Sequence, residues 1–365
     1  MPVHIFGGAG CFREQIDLVC SLGKRCLLMV GSTSAQKSGA LNEVLSLLEE
    51  HRVDVTIYSG VLPDPPVSQC REAALAAQVC RAQFIVALGG GSVIDAAKAA
   101  ACLAANSAAD TAALFKGELR CPALPLVAIG TTAGTGSEVT RVGVLTRDET
   151  GRKQSFRHNT CYPRYAFADP RYTATMPRGV TISTALDALC HAVEGWFSPR
   201  ADEASRLWAR QAITVLMREL EWLMQNKNEL PDLAGRERLL YASLWAGMAL
   251  NAAGVGFPHT MGYVLTEDHG IPHGRACAAF LPAFLERAET VCLAEAERLY
   301  AVCGGKEMLF NLVKQAADVT ITFTEEQIQS YVARWTIPPA NFENTPGRFT
   351  AAEAETVLRH ITSEP

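Results

Sequence analysis

No C-x-x-C pair occurs among the twelve cysteines, whose closest two, Cys20 and Cys26, stand six residues apart. A zinc knuckle and a thioredoxin-type motif are thereby excluded. The first residues, MPVHIFGGAG, lack the basic-then-apolar order of a secretory leader. Scattered thiols in such a chain are expected to be small buried hydrophobes in a reducing compartment. Long apolar runs are missing too: the small-residue stretch from Ala96 to Ala105 is broken by Lys98, well short of the roughly 18 residues a membrane span needs. Basic excess is absent, with a net charge of −5, which argues against nucleic acid or an anionic membrane as the main partner. Repeats, low-complexity segments and long charge runs are also lacking. A soluble, cytoplasmic protein is expected.

What the chain has is apolar content, 48% of 365 residues, enough for a large core spread over about two domains. Its character changes near the midpoint. In the first half, short apolar runs at 26–30, 53–58, 84–88 and 126–129 alternate with amphipathic stretches at 39–51, 67–82 and 92–105. Strand–helix alternation predicts a parallel sheet covered on both faces. Beyond Met176-Pro177 the pattern is helical, over 184–197, 202–225, 234–253 and 292–301. The predicted division is an α/β dinucleotide-binding domain at 1–178 and an α-helical metal-binding and catalytic domain at 179–365.

Two loops carry phosphate-binding character. FIVALGGGSVIDAAK, residues 84–98, ends a buried strand in three glycines, with Ser92 placed to cap the next helix. Glycines admit close backbone approach, and a helix N-terminus attracts an anion. The motif is neither G-x-G-x-x-G nor a Walker A loop, so taken alone a tight strand-to-helix turn with no ligand is nearly as good a reading as a phosphate site. IGTTAGTGSEVT, residues 129–140, also follows a strand and has little to bury. It is either a polar contact loop or a flexible surface turn. Two such loops on one sheet favour a dinucleotide.

The helical half holds the chemistry-bearing polar residues. Asp187 and His191 stand at i and i+4, on one helical face. His259, His269 and His273 follow within one glycine-rich segment. One carboxylate with two or three imidazoles suits a divalent first-row metal, and the lack of a cysteine ligand fits iron or zinc catalysis. His4, His51, His158 and His360 have no partner at ligand spacing.

GGGSVIDAAKA, TTAGTGSEVT, ALDALCHAVEGW and GFPHTMGYVLTEDHGIPHG, in that order, resemble the iron-containing (group III) alcohol dehydrogenases over nearly the whole chain. The resemblance implies a dehydroquinate synthase-like architecture: an α/β dinucleotide domain with a parallel sheet, an all-α domain, and a metal in the cleft between them. It implies Asp187, His191, His259 and His273 as ligands, with His269 outside the set. Fe(II) is the expected active metal, with zinc possible as purified. Gly90, Gly91, Ser92 and Asp95 match the family's pyrophosphate loop, and Thr131, Thr132, Thr140 and Lys153 match positions lining its cofactor site. The family reaction is reversible oxidation of a primary alcohol to an aldehyde, with hydride transfer to a nicotinamide.

Three positions depart from the family. Tyr263 stands where many members carry a second histidine near the nicotinamide, so a phenol replaces an imidazole in proton transfer. The family's P-N-P turn is Pro63-Asp64-Pro65. Ser32 replaces the carboxylate that would accept a ribose 2′-hydroxyl after the first core strand, and the next acidic residue is Glu43. NADP(H) is therefore favoured, with NAD(H) possible. By analogy Val142 and Val255 lie near the substrate, and Arg141 faces either solvent or an acidic substrate. The expected substrate is a small alcohol or aldehyde and the expected assembly a homodimer or higher homo-oligomer. Alternatives are a polyol or glycerol dehydrogenase, a maleylacetate-type reductase or, remotely, a non-catalytic nucleotide- or metal-binding protein.

Overall fold

The computed structural model describes residues 2–106 and 111–361. The chain divides into two compact units, Met1–Pro177 with Pro231–Tyr241, and Arg178–Leu230 with Ala242–Pro365. An unbroken second domain from residue 179 was the expectation. The Pro231–Tyr241 segment instead belongs to the first unit, where the buried Arg236 guanidinium donates to the Met176 carbonyl at 2.9 Å.

The first unit holds strands β1 (His4–Gly7), β2 (Arg25–Gly31), β3 (Asp54–Val61), β4 (Phe84–Gly89), β5 (Leu126–Gly130), β6 (Val142–Thr146), β7 (Lys153–Arg157) and β8 (Tyr165–Ala168). Six of them form a parallel sheet in the order β1-β8-β5-β4-β2-β3, and β6 and β7 make a separate antiparallel ribbon. Successive side chains of β2 divide between the two faces. Leu27 and Met29 join one apolar cluster with Ile94, Ala97 and Cys102, while Cys26, Leu28 and Val30 join the other with Val44 and Leu48. Both faces are covered, so the central strands are apolar throughout rather than alternating. Each fully buried Leu or Ile there contributes roughly 1.5–3 kcal/mol.

Strand order reverses between β2 and β4, because β3 lies on one side of β2 and the chain then returns past it. Open parallel sheets bind ligands outside the carboxyl ends of the strands at such a reversal. Those ends are Gly31-Ser32 and Gly89-Gly90-Gly91. The helix Gly91–Ala105 begins with Gly90, in extended backbone, at its N-cap and no side-chain cap bond. The expected Ser92 cap does not form: Ser92 lies inside the first turn, and its Oγ accepts from Asp64 N at 3.3 Å.

The second unit is helical. Its longest helices are Arg178–Phe197 and Glu203–Gln225, the latter opened by a reciprocal Asp202–Ser205 capping box. The first starts six residues before the predicted 184, because the β-branched Val180, Thr181 and Ile182 hide its onset. Shorter helices follow, among them Phe257–His269 and His273–Ala279. Among the described residues no single helix is long and apolar enough to cross a membrane.

Candidate active site

The helix Arg178–Phe197 places Asp187, His191 and Glu194 at i, i+4 and i+7, on one face, and all three are buried. Phe257–His269 brings His259 in its first turn, and His273–Ala279 begins with His273. The three helices converge on the Asp187 carboxylate. Its Oδ1 lies 3.8 Å from His191 Nε2, 3.5 Å from His259 Nε2 and 3.8 Å from His273 Nε2. The rings of His191 and His259 stack, with centroids 4.5 Å apart.

Two glycines permit this convergence. A Cβ on Gly274 would collide with the Ser183 carbonyl oxygen and stand 2.8 Å from Asp187 N. A Cβ on Gly262 would stand 2.9 Å from Cys277 Sγ and 3.0 Å from Cys277 N. Only hydrogen at these positions lets the short His273 helix lie against both neighbours.

The residues fit a metal ion. Asp187 Oδ1 and His259 Nε2 are buried without a hydrogen-bond partner, facing each other across 3.5 Å. Two ligand atoms about 2.0–2.1 Å from a shared tetrahedral ion stand about 3.4 Å apart, close to that spacing. Orphaned polar atoms of this kind are costly unless something occupies the space between them. The electrostatics agree. Burial favours a neutral Asp187, but the imidazoles of His191, His259 and His273 overcome it and hold the carboxyl below the ordinary range. Burial likewise opposes charge on His259, yet Glu194 and Asp187 outweigh it and raise that imidazole to about 10. The site is built to hold positive charge between carboxylates.

Glu194 escaped the sequence reading. Its Oε1 meets His259 Nδ1 at 2.6 Å, and its Oε2 accepts from Gly256 N, the N-cap of the His259 helix, at 2.8 Å. Its place seven residues after Asp187 was the available signal. Cys277 escaped it as well. Asp187, His259, His273 and Cys277 offer donor atoms all within 4.8 Å of one another, so a buried thiol stands beside the predicted ligands although no cysteine ligand was expected. Tyr263 stacks on His273, with ring centroids 5.5 Å apart. His269 lies with other partners: its Nε2 meets Tyr331 Oη at 2.9 Å, and its ring packs on Phe323.

The first unit brings the two glycine- and threonine-rich loops side by side, since β4 and β5 are neighbours in register at Gly89 and Gly130. A Cβ on Gly91 would stand 2.5 Å from Thr135 Cγ2, and one on Gly90 would stand 3.1 Å from Thr132 Oγ1. Thr131 N donates to Gly89 O at 3.0 Å, and its Oγ1 to Ser34 Oγ at 3.3 Å. Asp95 presents no free carboxylate: Oδ1 accepts from Ser137 Oγ at 2.5 Å and Oδ2 from Val144 N at 2.9 Å. Beside it, the fully buried Lys98 donates to Ser137 Oγ, Thr140 Oγ1 and Val142 O. Asp95, Lys98 and Thr140 thus tie one loop to the other. Lys98 had signalled itself only as the charge interrupting an alanine run. Lys153 Nζ pairs with Asp64 Oδ1 at 2.8 Å, which joins the altered Pro-Asp-Pro turn to β7. Arg141 donates to Asn159 Oδ1. Ser32 is exposed just past β2.

Comparison with known proteins agrees with this arrangement. Residues 2–170 match the model of the iron-containing alcohol dehydrogenases, and residues 181–329 match that of the C-terminal region of the Fe-containing alcohol dehydrogenase family. Alcohol dehydrogenase 4 of Schizosaccharomyces pombe is 33% identical over 79% of this chain and 69% of its own. The solved iron-containing alcohol dehydrogenase of Thermotoga maritima superposes with a TM-score of 0.92 at 32% identity, covering 100% of this chain and 99% of that one. Sulfoacetaldehyde reductase of Bifidobacterium kashiwanohense, solved with NAD+, gives 0.87 at 28% identity over 100% and 98%. Likeness on this scale, in sequence through both regions and in fold from end to end, makes the chain a member of the iron-containing alcohol dehydrogenase family, an oxidoreductase acting on alcohols.

Proposed function

We propose that the protein interconverts a primary alcohol and its aldehyde, with NADP(H) as the favoured nicotinamide and a divalent metal held by Asp187, His191, His259 and His273. The observation that carries this reading is the meeting of three imidazole Nε2 atoms around one carboxylate oxygen, at 3.5–3.8 Å. Such a metal, Fe(II) for highest activity, supplies Lewis acidity toward a substrate oxygen. The chain's own part is to fix the donors. Glu194 orients His259, Gly274 admits His273, and burial keeps Asp187 and His259 from water. Tyr263, stacked on His273, is assigned to proton transfer. Tyr263→Phe should then shift the pH–rate profile with metal content unchanged, and an unmoved profile would remove that role.

Dinucleotide binding is assigned to the strand ends of the first unit: Gly90, Gly91, Ser92, Thr131, Thr132 and Lys153, with Asp95 and Thr140 holding the loops in place. The NADP preference is supported by what surrounds Ser32. No carboxylate follows β2 before Glu43, and Glu43 already accepts from Tyr172 Oη at 3.0 Å and pairs with Arg171 at 3.2 Å. A 2′-phosphate therefore meets hydroxyl groups, with the exposed Lys37 one short helix away. The kcat/KM for NADPH should exceed that for NADH, and Ser32→Asp should reverse the order. A wild-type preference for NADH would overturn the NADP assignment and leave the reaction class standing. The class itself is tested with aldehydes from acetaldehyde to hexanal, together with 3-hydroxypropanal and succinic semialdehyde. Absence of aldehyde-dependent oxidation of either reduced cofactor by the Fe(II)-loaded protein would overturn it.

A further inference from the structure

We propose that Cys102 and Cys161, in the first unit, form a reversible disulfide with hydrogen peroxide as the oxidant, Cys161 attacking the peroxide and Cys102 closing the bond.

Cys102 lies near the end of the helix Gly91–Ala105, and Cys161 ends the short turn Asn159–Cys161 that follows β7. The helix packs on that turn, and the two sulfurs, both buried, stand 3.3 Å apart. They need to close by about 1.2 Å to reach the roughly 2.05 Å of a disulfide. Both backbones are held in place. Asn106 Nδ2 donates to Cys102 O at 2.9 Å, and Cys161 N donates to His158 O at 3.0 Å.

The two thiols are not equivalent. Lys98 and Cys102 stand at i and i+4, on one face of the helix. The Cys102 thiol donates to Cys161 and, with the Lys98 ammonium, outweighs burial and Asp95 to hold the Cys161 thiol below its ordinary value. The same contact, together with burial, pushes Cys102 far up. A thiolate is the reactive form, so Cys161 is the sulfur that attacks. It is also the one nearer water. Asn159 is exposed and Thr160 and Tyr162 are half-buried, whereas residues 96–103 of the helix are buried throughout.

The chemistry balances in two steps. The Cys161 thiolate attacks one peroxide oxygen, the O–O bond breaks, and hydroxide leaves and takes a proton from solvent, giving one water and a sulfenic acid on Cys161. Cys102 sulfur then attacks that sulfur, the S–O bond breaks, and the Cys102 proton leaves with the oxygen as a second water. Two thiols are oxidised to one disulfide and one peroxide is reduced to two waters. Cys102 thereby intercepts the sulfenic acid before it reaches the irreversible sulfinic state.

Peptide mapping tests this, on zinc-loaded protein, which brings no iron to react with the peroxide. Trypsin releases Cys102 in residues 99–116 and Cys161 in residues 158–164, each as the sole cysteine of its peptide. After peroxide treatment and alkylation of the remaining thiols in denaturant, the two peptides should appear linked, and dithiothreitol added before alkylation should separate them. Cys102→Ser, which keeps a hydroxyl donor beside Cys161, should accumulate a sulfenic acid at Cys161 that dimedone traps. Cys161→Ser should leave Cys102 a free thiol. Unlinked peptides in wild type, at a peroxide dose that oxidises the exposed Cys121, would overturn the proposal, as would linkage of either peptide to another cysteine. A dimedone adduct on Cys102 in Cys161→Ser, with none on Cys161 in Cys102→Ser, would overturn the assignment of the attacking sulfur.

Discussion

Glu194 binds His259 by both ends of the turn that carries it: one carboxylate oxygen meets Nδ1 at 2.6 Å and the other accepts from the N-cap amide of Gly256 at 2.8 Å. The proton on Nδ1 leaves Nε2 as the donor atom, aimed at Asp187 Oδ1. A carboxylate behind a ligating imidazole fixes ring and tautomer and raises the basicity of the ligand. Glutamine has one oxygen for these two donors, so Glu194→Gln must turn an amide N–H toward one of them. Metal affinity, measured by chelator competition, is expected to fall about 10- to 100-fold in Glu194→Gln with helical content unchanged. Wild-type affinity in that variant would show that the carboxylate is only a cap.

Gly274 gives the sharpest steric prediction. Its Cβ would overlap the Ser183 carbonyl oxygen on the Asp187 helix, and a backbone atom cannot swing aside as a side chain can. Gly274→Ala should displace His273, abolish metal retention, and cost about 1–3 kcal/mol or more of stability. Urea denaturation and metal analysis of the same preparation check both parts.

How much of this was legible in the sequence depended on the kind of signal. The strands β2, β4 and β5 are apolar runs closed by glycine, and the structure has them within a residue or so of the prediction. β1 and β8 are four residues each, too short for a pattern, and β6 (VGVLT) and β7 (KQSFR) show no polar–apolar alternation and pair in a ribbon outside the main sheet. The i, i+4 spacing of Asp187 and His191 was visible because both are familiar donors. Glu194 lies on the same helical face, but its partner Gly256 is 62 residues away, a pairing that only the packed helices create. Cys277 was hidden by its eleven fellows: eight of the twelve thiols are buried, as scattered cysteines were expected to be, and one of the eight stands beside the predicted ligands. The same i, i+4 rule applied from His273 would have picked it out.

His259 and His269, ten residues apart on one helix, should separate cleanly. His259 faces Asp187 and Glu194, whereas His269 is engaged by Tyr331 and Phe323. His259→Ala should lose bound metal and turnover, and His269→Ala should keep both. The reverse pattern would show the ligand set to be wrong.

Stability should depend on pH through Glu138, in the loop that follows β5. Burial pushes its carboxyl up to about 7 from an ordinary 4.5, and Oε2 has no hydrogen-bond partner. Below pH 4.5 the acid is neutral whether folded or unfolded, and its contribution is complete. Between pH 4.5 and about 7 the unfolded chain ionises while the folded one stays protonated, so stability is lost as pH rises. Glu138→Gln, neutral throughout, should gain on wild type by on the order of 3 kcal/mol from the acid side of this window to its alkaline side. Urea denaturation of the two proteins at both ends of the window measures the gap. A constant gap would mean that the carboxyl ionises freely when folded.

The central claim is that alcohol–aldehyde interconversion depends on one metal held at Asp187. It is met most directly by stripping the protein with a chelator and following aldehyde-dependent NADPH oxidation as Fe(II) is added back anaerobically, in wild type and in His259→Ala. The site requires no turnover in the stripped protein, a rise that saturates at one iron per chain in wild type, and none in the variant. Full turnover by stripped protein, or iron-dependent turnover in His259→Ala, would contradict it.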